Sequence, residues 1–263
     1  MNERDVIREI VAKGSRIDGR GFLDYRKLKI TPNVASNAEG SARVELGETK
    51  VIAGVKLSVG EPFKDKPDEG VLIVHAEFLP LAYEEFEPGP PKEDAIEVAR
   101  VVDRVIRESK AIALDKLCVE AGKLVWKVVI DIIVLDNDGN LIDASLLASV
   151  AALKHARLPK LIIEGENVEI DREEKVEALP LNRIPTAVTV FKLGDVLLLD
   201  PNLKEEQACD ARLTIGMFFE NGEAKICALQ KGGSKNFTYE EFERALEIAE
   251  TKGKELLEKL RAI

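Results

Sequence analysis

The chain has 263 residues, 48 of them acidic and 38 basic, for a net charge of −10; 45% are hydrophobic and 33% charged. Such a composition builds a substantial core, which excludes a disordered chain and a minimal disulfide-stapled scaffold. The acid excess also excludes a protein that coats nucleic acid indiscriminately, because that binding rests on Lys and Arg neutralising phosphates; any nucleic-acid contact must be local.

Cys118, Cys209 and Cys227 lie far apart and form no CxxC pair. Neither a zinc site nor a disulfide framework is expected, and a reducing, cytoplasmic setting fits best. The first residues lack the apolar run of a signal peptide, and the most apolar stretch, Leu124 to Leu135, is interrupted by Lys127 and Asp131, so no membrane span is expected.

Asn2 to Ala12 reads as a short helix with Asn2 as its cap and Val6, Ile7, Ile10 and Val11 as an apolar stripe. Arg16-Ile17-Asp18-Gly19-Arg20-Gly21 is charged and turn-rich, and strand-like Lys27 to Ile30 follows. Ser41 to Leu46 and Thr49 to Val59 alternate with period 2 around Gly47-Glu48, which predicts a hairpin. Gly70 to Leu79 reads as a strand and Tyr83 to Pro91 as an acidic, proline-rich loop. Lys92 to Lys110 has helical spacing, with Ile96, Ala99, Val102 and Ile106 on one face. Lys123 to Leu135 is rich in β-branched residues, Asp136 to Asn140 is a turn, and Leu141 to Arg157 is an apolar helix.

In the second half, Thr186 to Leu199 predicts another hairpin. Ala211 to Phe219 and Ala224 to Gln230 predict a third, around Asn221-Gly222. A closing helix starts at the capping box Thr238-x-x-Glu241. The chain therefore divides into an N-terminal helix and arm (1–26), a first β-α unit (27–158), a linker (159–185) and a second unit with a C-terminal helix (186–263). Phe191 to Asp195 echoes Val44 to Glu48, and the α+β pattern of each half suggests duplication.

Arg100, Arg104 and Arg107 fall at i, i+4 and i+7, which puts three guanidinium groups on one helix face. They can form a phosphate clamp, because Arg holds phosphate oxygens bidentately and stays charged. They can equally form a solvated face with Glu97 to Arg100 and Asp103 to Arg107 as intrahelical pairs. Asp136 to Asn140 is read as a turn, since the twelfth position of a calcium loop would be Leu147. His75 and His155 are read as structural, and Lys231 to Lys235 as a loop. No nucleophile elbow or carboxylate pair stands out.

Arg16-x-Asp18-Gly19-Arg20, Tyr25-Arg26, Gly40-Ser41-Ala42 and Gly47-x-Thr49-x-Val51 resemble the opening of RNase PH-type phosphorolytic exoribonucleases. Glu87 to Pro91 running into Ala95 to Arg104, and Val134 to Ala144, are similar to the catalytically silent RNase PH-type ring subunit of the archaeal exosome. The resemblance implies an RNase PH-type fold of two duplicated β-α units. It also implies alternation with a catalytic sister subunit in a six-membered ring, RNA-binding cap subunits, and single-stranded RNA threading into a central chamber. Active relatives carry a Gly-Thr/Ser-Arg phosphate cradle, which falls here on Asn140, Leu141 and Ile142, where Leu and Ile offer no donors. Their catalytic Asp corresponds to Cys209, with Asp210 next to it and, in a regular strand, on the opposite face. The resemblance also implies that Arg100 and Arg104 contact RNA phosphates, and leaves Arg107 an ordinary surface residue. No catalytic residue, metal or cofactor is then expected of this chain. The alternatives are a self-sufficient phosphorolytic exoribonuclease forming its own ring, which would need a hydroxyl and an arginine at positions 141 and 142, and a structural spacer without RNA contact.

Overall fold

The computed structural model describes residues 2–165 and 167–263. The first helix, α1 (Glu3–Ala12), starts where the Asn2 side chain accepts from the Asp5 N–H and Asp5 returns a bond to the Asn2 N–H. It buries Ile7 and Val11 against Phe191, Leu193, Leu198 and Ala208, so the N-terminus docks on the second unit rather than the first.

The first unit is built from β1 (Leu28–Pro32), β2 (Gly40–Leu46), β3 (Thr49–Gly60), β4 (Val71–Phe78), α2 (Glu93–Glu108), β5 (Cys118–Glu120), β6 (Leu124–Asp136) and α3 (Leu141–Lys154). Its sheet runs in the order β1-β2-β3-β6-β4, with β5 beside β6; only the β4–β6 pair is parallel. β7 (Arg157–Glu164) and β8 (Asn167–Ala178) form a separate two-stranded sheet. The second unit comprises β9 (Thr186–Leu193), β10 (Val196–Leu199), α4 (Leu203–Ala208), β11 (Ala211–Glu220), β12 (Glu223–Gly233) and α5 (Tyr239–Arg261), with an antiparallel sheet ordered β10-β9-β11-β12.

Alternation in β3 and β6 turns Val51, Ala53, Val55 and Leu57, and Val128, Ile130, Ile132 and Val134, into the core. They meet α3, in which every residue from Ile142 to Leu153 is buried. A helix apolar on all sides must be covered on all sides, and α3 packs on β2 and β3 in one sheet and β9 in the other. One apolar cluster accordingly runs from Ala42 to Leu260. Among the described residues no helix is long and apolar enough to cross a membrane.

Several elements depart from the sequence reading. Residues 159–185, expected as a linker, are for most of their length the β7–β8 hairpin. Its many charges hide it from pattern reasoning, and Pro159 sits at register shifts in the ladder, where its missing N–H is tolerated. Arg172 fastens the hairpin to the body through Glu39 and the Leu57 carbonyl. On α2 the buried face is Ala95, Val98, Val101, Val102, Val105 and Ile106, while Ile96 is 47% exposed. Val102 and Ile106 of the expected stripe are buried as read, but packing against β4, α3 and β12 brings in Ala95, Val98, Val101 and Val105 in place of Ile96. Lys231 to Gly233 belongs to β12 rather than to a loop, and His75 is exposed on β4.

The arm between α1 and β1 carries the polar fastening. Arg16 is inaccessible to solvent and reaches the equally buried Glu205 at 2.5 Å. It also donates to the carbonyls of Leu199 (2.9 Å) and Asp200 (3.0 Å). Arg26 donates to the Asp200 carboxylate through its backbone N–H (2.7 Å), Nε (3.0 Å) and Nη2 (2.8 Å), and to Asp138 at 2.9 Å. Replacing Arg16 with Met leaves Glu205 buried without its cation, and the expected loss is about 3–5 kcal/mol of unfolding free energy. Urea titration of the variant should show a lower midpoint at unchanged slope.

Candidate nucleic-acid interface and adjoining pocket

Arg100 and Arg104 both project from α2 into solvent. Among the described residues Arg100 has no hydrogen-bond or ion-pair partner, and Arg104 has only a long 3.5 Å contact to Gln230 Oε1. Both border a shallow groove with Ile96 and Gln230. Arg107 differs: it is held by both Asp103 oxygens (2.6 and 3.0 Å) and by the Leu72 carbonyl. It is the intrahelical pair anticipated for an ordinary surface residue. Glu97, the other anticipated pair partner, turns away from Arg100 and binds Arg212 at 2.5 Å.

Behind this face lies a pocket formed where the turn after β6 meets α4. Gly139 (φ 83°) and Asn140 (φ 56°) both have left-handed backbones, and a Cβ on Gly139 would come within 2.8 Å of the Pro201 carbonyl. The turn brings Asn140, the cap residue of α3, to α4, and its N–H donates to the Glu206 carboxylate at 2.7 Å. A helix N-terminus is a ready anion site; here the N–H of the cap residue, Asn140, is taken by a carboxylate of the chain itself. The cradle positions Leu141 and Ile142 line the pocket beside Phe78 and Phe86, together with the carboxylates of Glu85, Asp94, Glu97 and Glu206 and a single cation, Arg212. The cavity measures about 240 Å³. Burial raises the Glu206 carboxyl above its ordinary value, opposed by the Asn140 N–H and by Arg212 and Arg26.

Cys209, the position that the resemblance aligns with the catalytic Asp, follows α4. Burial pushes the Cys209 thiol far up, reinforced by the charges of Glu206, Glu205 and Asp210. Asp210 turns the other way, accepting from Arg8 at 2.7 Å and from the Gly194 N–H at 2.9 Å, with Lys235 at 3.5 Å. Burial alone would raise its carboxyl, but these partners hold it below the usual range. It anchors α1. Among the described residues no group of three or more His, Cys, Asp or Glu side chains is placed to hold a metal ion.

The profile of the 3′ exoribonuclease family, domain 1, matches residues 24–159, and that of domain 2 matches residues 183–252. The chain belongs to this family. It is 50% identical over 257 residues to the exosome complex component Rrp42 of Thermococcus kodakarensis, covering 98% of this chain and 93% of the relative. The Rrp42 of Methanothermobacter thermautotrophicus is 45% identical over 268 residues, covering 99% and 97%. Among solved structures, a chain of the Archaeoglobus fulgidus exosome with RNA bound to the active site superposes with a TM-score of 0.87 at 42% identity, covering 98% of this chain and 97% of that one. A chain of an archaeal exosome core gives 0.85 at 40% identity, covering 98% and 96%. The RNase PH-type α+β fold inferred from the motifs is thus the observed one.

Of the motif arginines of the arm, Arg16 and Arg26 serve the interior, Arg20 bridges Asp18 and the Asp24 carbonyl at the surface to the Asp200 carbonyl, and Tyr25 donates to Asp143 at 2.9 Å. Glu206, Arg212 and Gln230 escaped the sequence reading. Each is a single polar residue at an element end or on a strand, with no spacing signal of its own. Asp143, fully buried at the start of α3, is raised to about 6 by desolvation, which outweighs the bonds it accepts from the Thr189 hydroxyl and N–H, Tyr25 and Asn140. Its folded value exceeds the ordinary 3.8, so the folded state binds the proton more tightly than the unfolded chain does. Its unfavourable contribution to stability therefore grows as pH rises between about 4 and 6 and is constant above. Carboxyl carbon NMR over that range should give a midpoint about 6; a value at or below 3.8 would show that the four hydrogen bonds outweigh burial.

Proposed function

We propose that this chain is a non-catalytic subunit of a phosphorolytic exosome. It alternates with a catalytic RNase PH-type sister in a six-membered ring under RNA-binding cap subunits, completes the sister's active site, and holds single-stranded RNA by its phosphates through Arg100 and Arg104. Sequence relatives named as Rrp42 exosome components, and the exosome structural neighbours, support the assembly. The three free cysteines fit a reducing, cytoplasmic location.

The observation that carries the non-catalytic reading is the Glu206 carboxylate on the Asn140 N–H at 2.7 Å. Phosphorolysis needs inorganic phosphate held against the terminal phosphodiester, which it attacks to release a nucleoside diphosphate. In this pocket an amide of the would-be cradle is already taken by an anion, and Leu141 and Ile142 supply no side-chain donor. A phosphate entering would meet Glu85, Asp94, Glu97 and Glu206 in a partly desolvated space where like charges repel strongly. The positioning and charge stabilisation that lower the barrier then come from the sister. What this chain retains is grip: two exposed guanidinium groups on a rigid helix, neither committed to an internal ion pair among the described residues.

The purified chain should release no diphosphate from an oligoribonucleotide and orthophosphate, and release should follow addition of the sister. Shortening of RNA by the chain alone would overturn the reading and favour a self-sufficient ring. In the reassembled complex, Arg100→Ala with Arg104→Ala should weaken RNA binding and flatten the plot of log affinity against log salt by about 0.7 for each lost phosphate contact. An unchanged slope counts against the clamp.

A further inference from the structure

We infer that Arg212 is a positioning residue of the RNA clamp: by holding the Glu97 carboxylate it keeps Arg100 free for a phosphate. This rests on the clamp reading above and extends it to residues outside α2.

Glu97 and Arg100 stand at i and i+3, neighbours on the helix surface where opposite charges pair, and both border the same groove. The helix tolerates such pairing, since Asp103 binds Arg107 four residues away at 2.6 Å. Glu97 behaves differently because a competitor arrives from β11. Arg212 Nη2 reaches Glu97 Oε2 at 2.5 Å, with only 24% and 27% of the two side chains accessible to solvent. The other oxygen, Oε1, accepts from Gln230 Nε2 at 3.3 Å. Both carboxylate oxygens are therefore occupied from the sheet side. The Gln230 amide, with its NH2 on Glu97, turns its carbonyl toward Arg104.

Backbone packing keeps the route open. Gly232, the register partner of Arg212 on β12, leaves room for the guanidinium group: a Cβ there would lie 2.6 Å from its carbon and displace it from this position. Without Arg212, Glu97 becomes an unpaired anion in the groove. It then competes with RNA for Arg100 and repels the phosphates directly.

The test compares complexes assembled with the catalytic sister, using anisotropy of a labelled single-stranded oligoribonucleotide over a salt series. Arg212→Gln is expected to flatten the slope by about 0.7, the loss of one phosphate contact, as Arg100→Ala does. Adding Glu97→Gln to Arg212→Gln should restore the original slope, because no carboxylate remains to capture Arg100. Glu97→Asp, which keeps the charge but withdraws it from Arg212, should reproduce the loss and serves where Arg212→Gln does not assemble. A double variant as shallow as Arg212→Gln means that Arg212 touches RNA or props the fold, and ends the inference, as does a Glu97→Asp complex with full slope. If Arg100→Ala itself leaves the slope intact, the clamp fails and this inference with it. A shallow Arg100→Ala beside an unrescued double sinks the inference alone.

Discussion

Two buried carboxylates, Asp200 and Glu205, paired with arginines of the N-terminal arm, organise this molecule. Asp200, buried with a left-handed backbone (φ 46°), takes three bonds from Arg26, one from the Asn140 side chain and a longer one from Arg20. Glu205, a few residues later, takes Arg16. The cations come from the arm, the anions from the second unit, and Asn140 from the first. Because desolvated charges are costly when single, the three segments are fixed together or not at all. The same set holds the Gly139–Asn140 turn against α4, which sets Glu206 at the mouth of α3.

One chemistry thus appears in two settings. Inside, Asp200 and Glu205 are matched by arginines at the junction, while Asp143 is held by neutral donors alone. In the pocket the matching is incomplete: Arg212 answers Glu97, while among the described residues Glu85 and Asp94 have no ion-pair partner. The outer face of α2 has the opposite imbalance, with Arg100 and Arg104 uncommitted. The overall charge of −10 conceals this division. Acidic residues line a cavity a short distance from two uncommitted guanidinium groups.

Regular elements were legible in the sequence because their causes are local. Alternation in β3 and β6, Asn2 and Thr238 as caps, and Asn221-Gly222 as a turn all act within a few residues. The fine rotation of α2 was not legible: Val102 and Ile106 were placed inside, but whether Ala95 or Ile96 joins them is decided by β4 and β12. The β7–β8 hairpin was hidden by its charges, one of which, Arg172, ties it down through Glu39. For the candidate site, absent donors at Leu141 and Ile142 were readable, whereas the occupant was not. Glu206 lies 66 residues from Asn140 and meets it only through the fold.

The helix α3 has no solvent side: it lies between the sheet of one half and β9 of the other, and each half is the cover for the other's apolar face. The two halves are accordingly not independent of one another. Melting is expected as one all-or-none event, and a fragment cut at the boundary would present its greasy interior to water. Durability and indivisibility here have the same source.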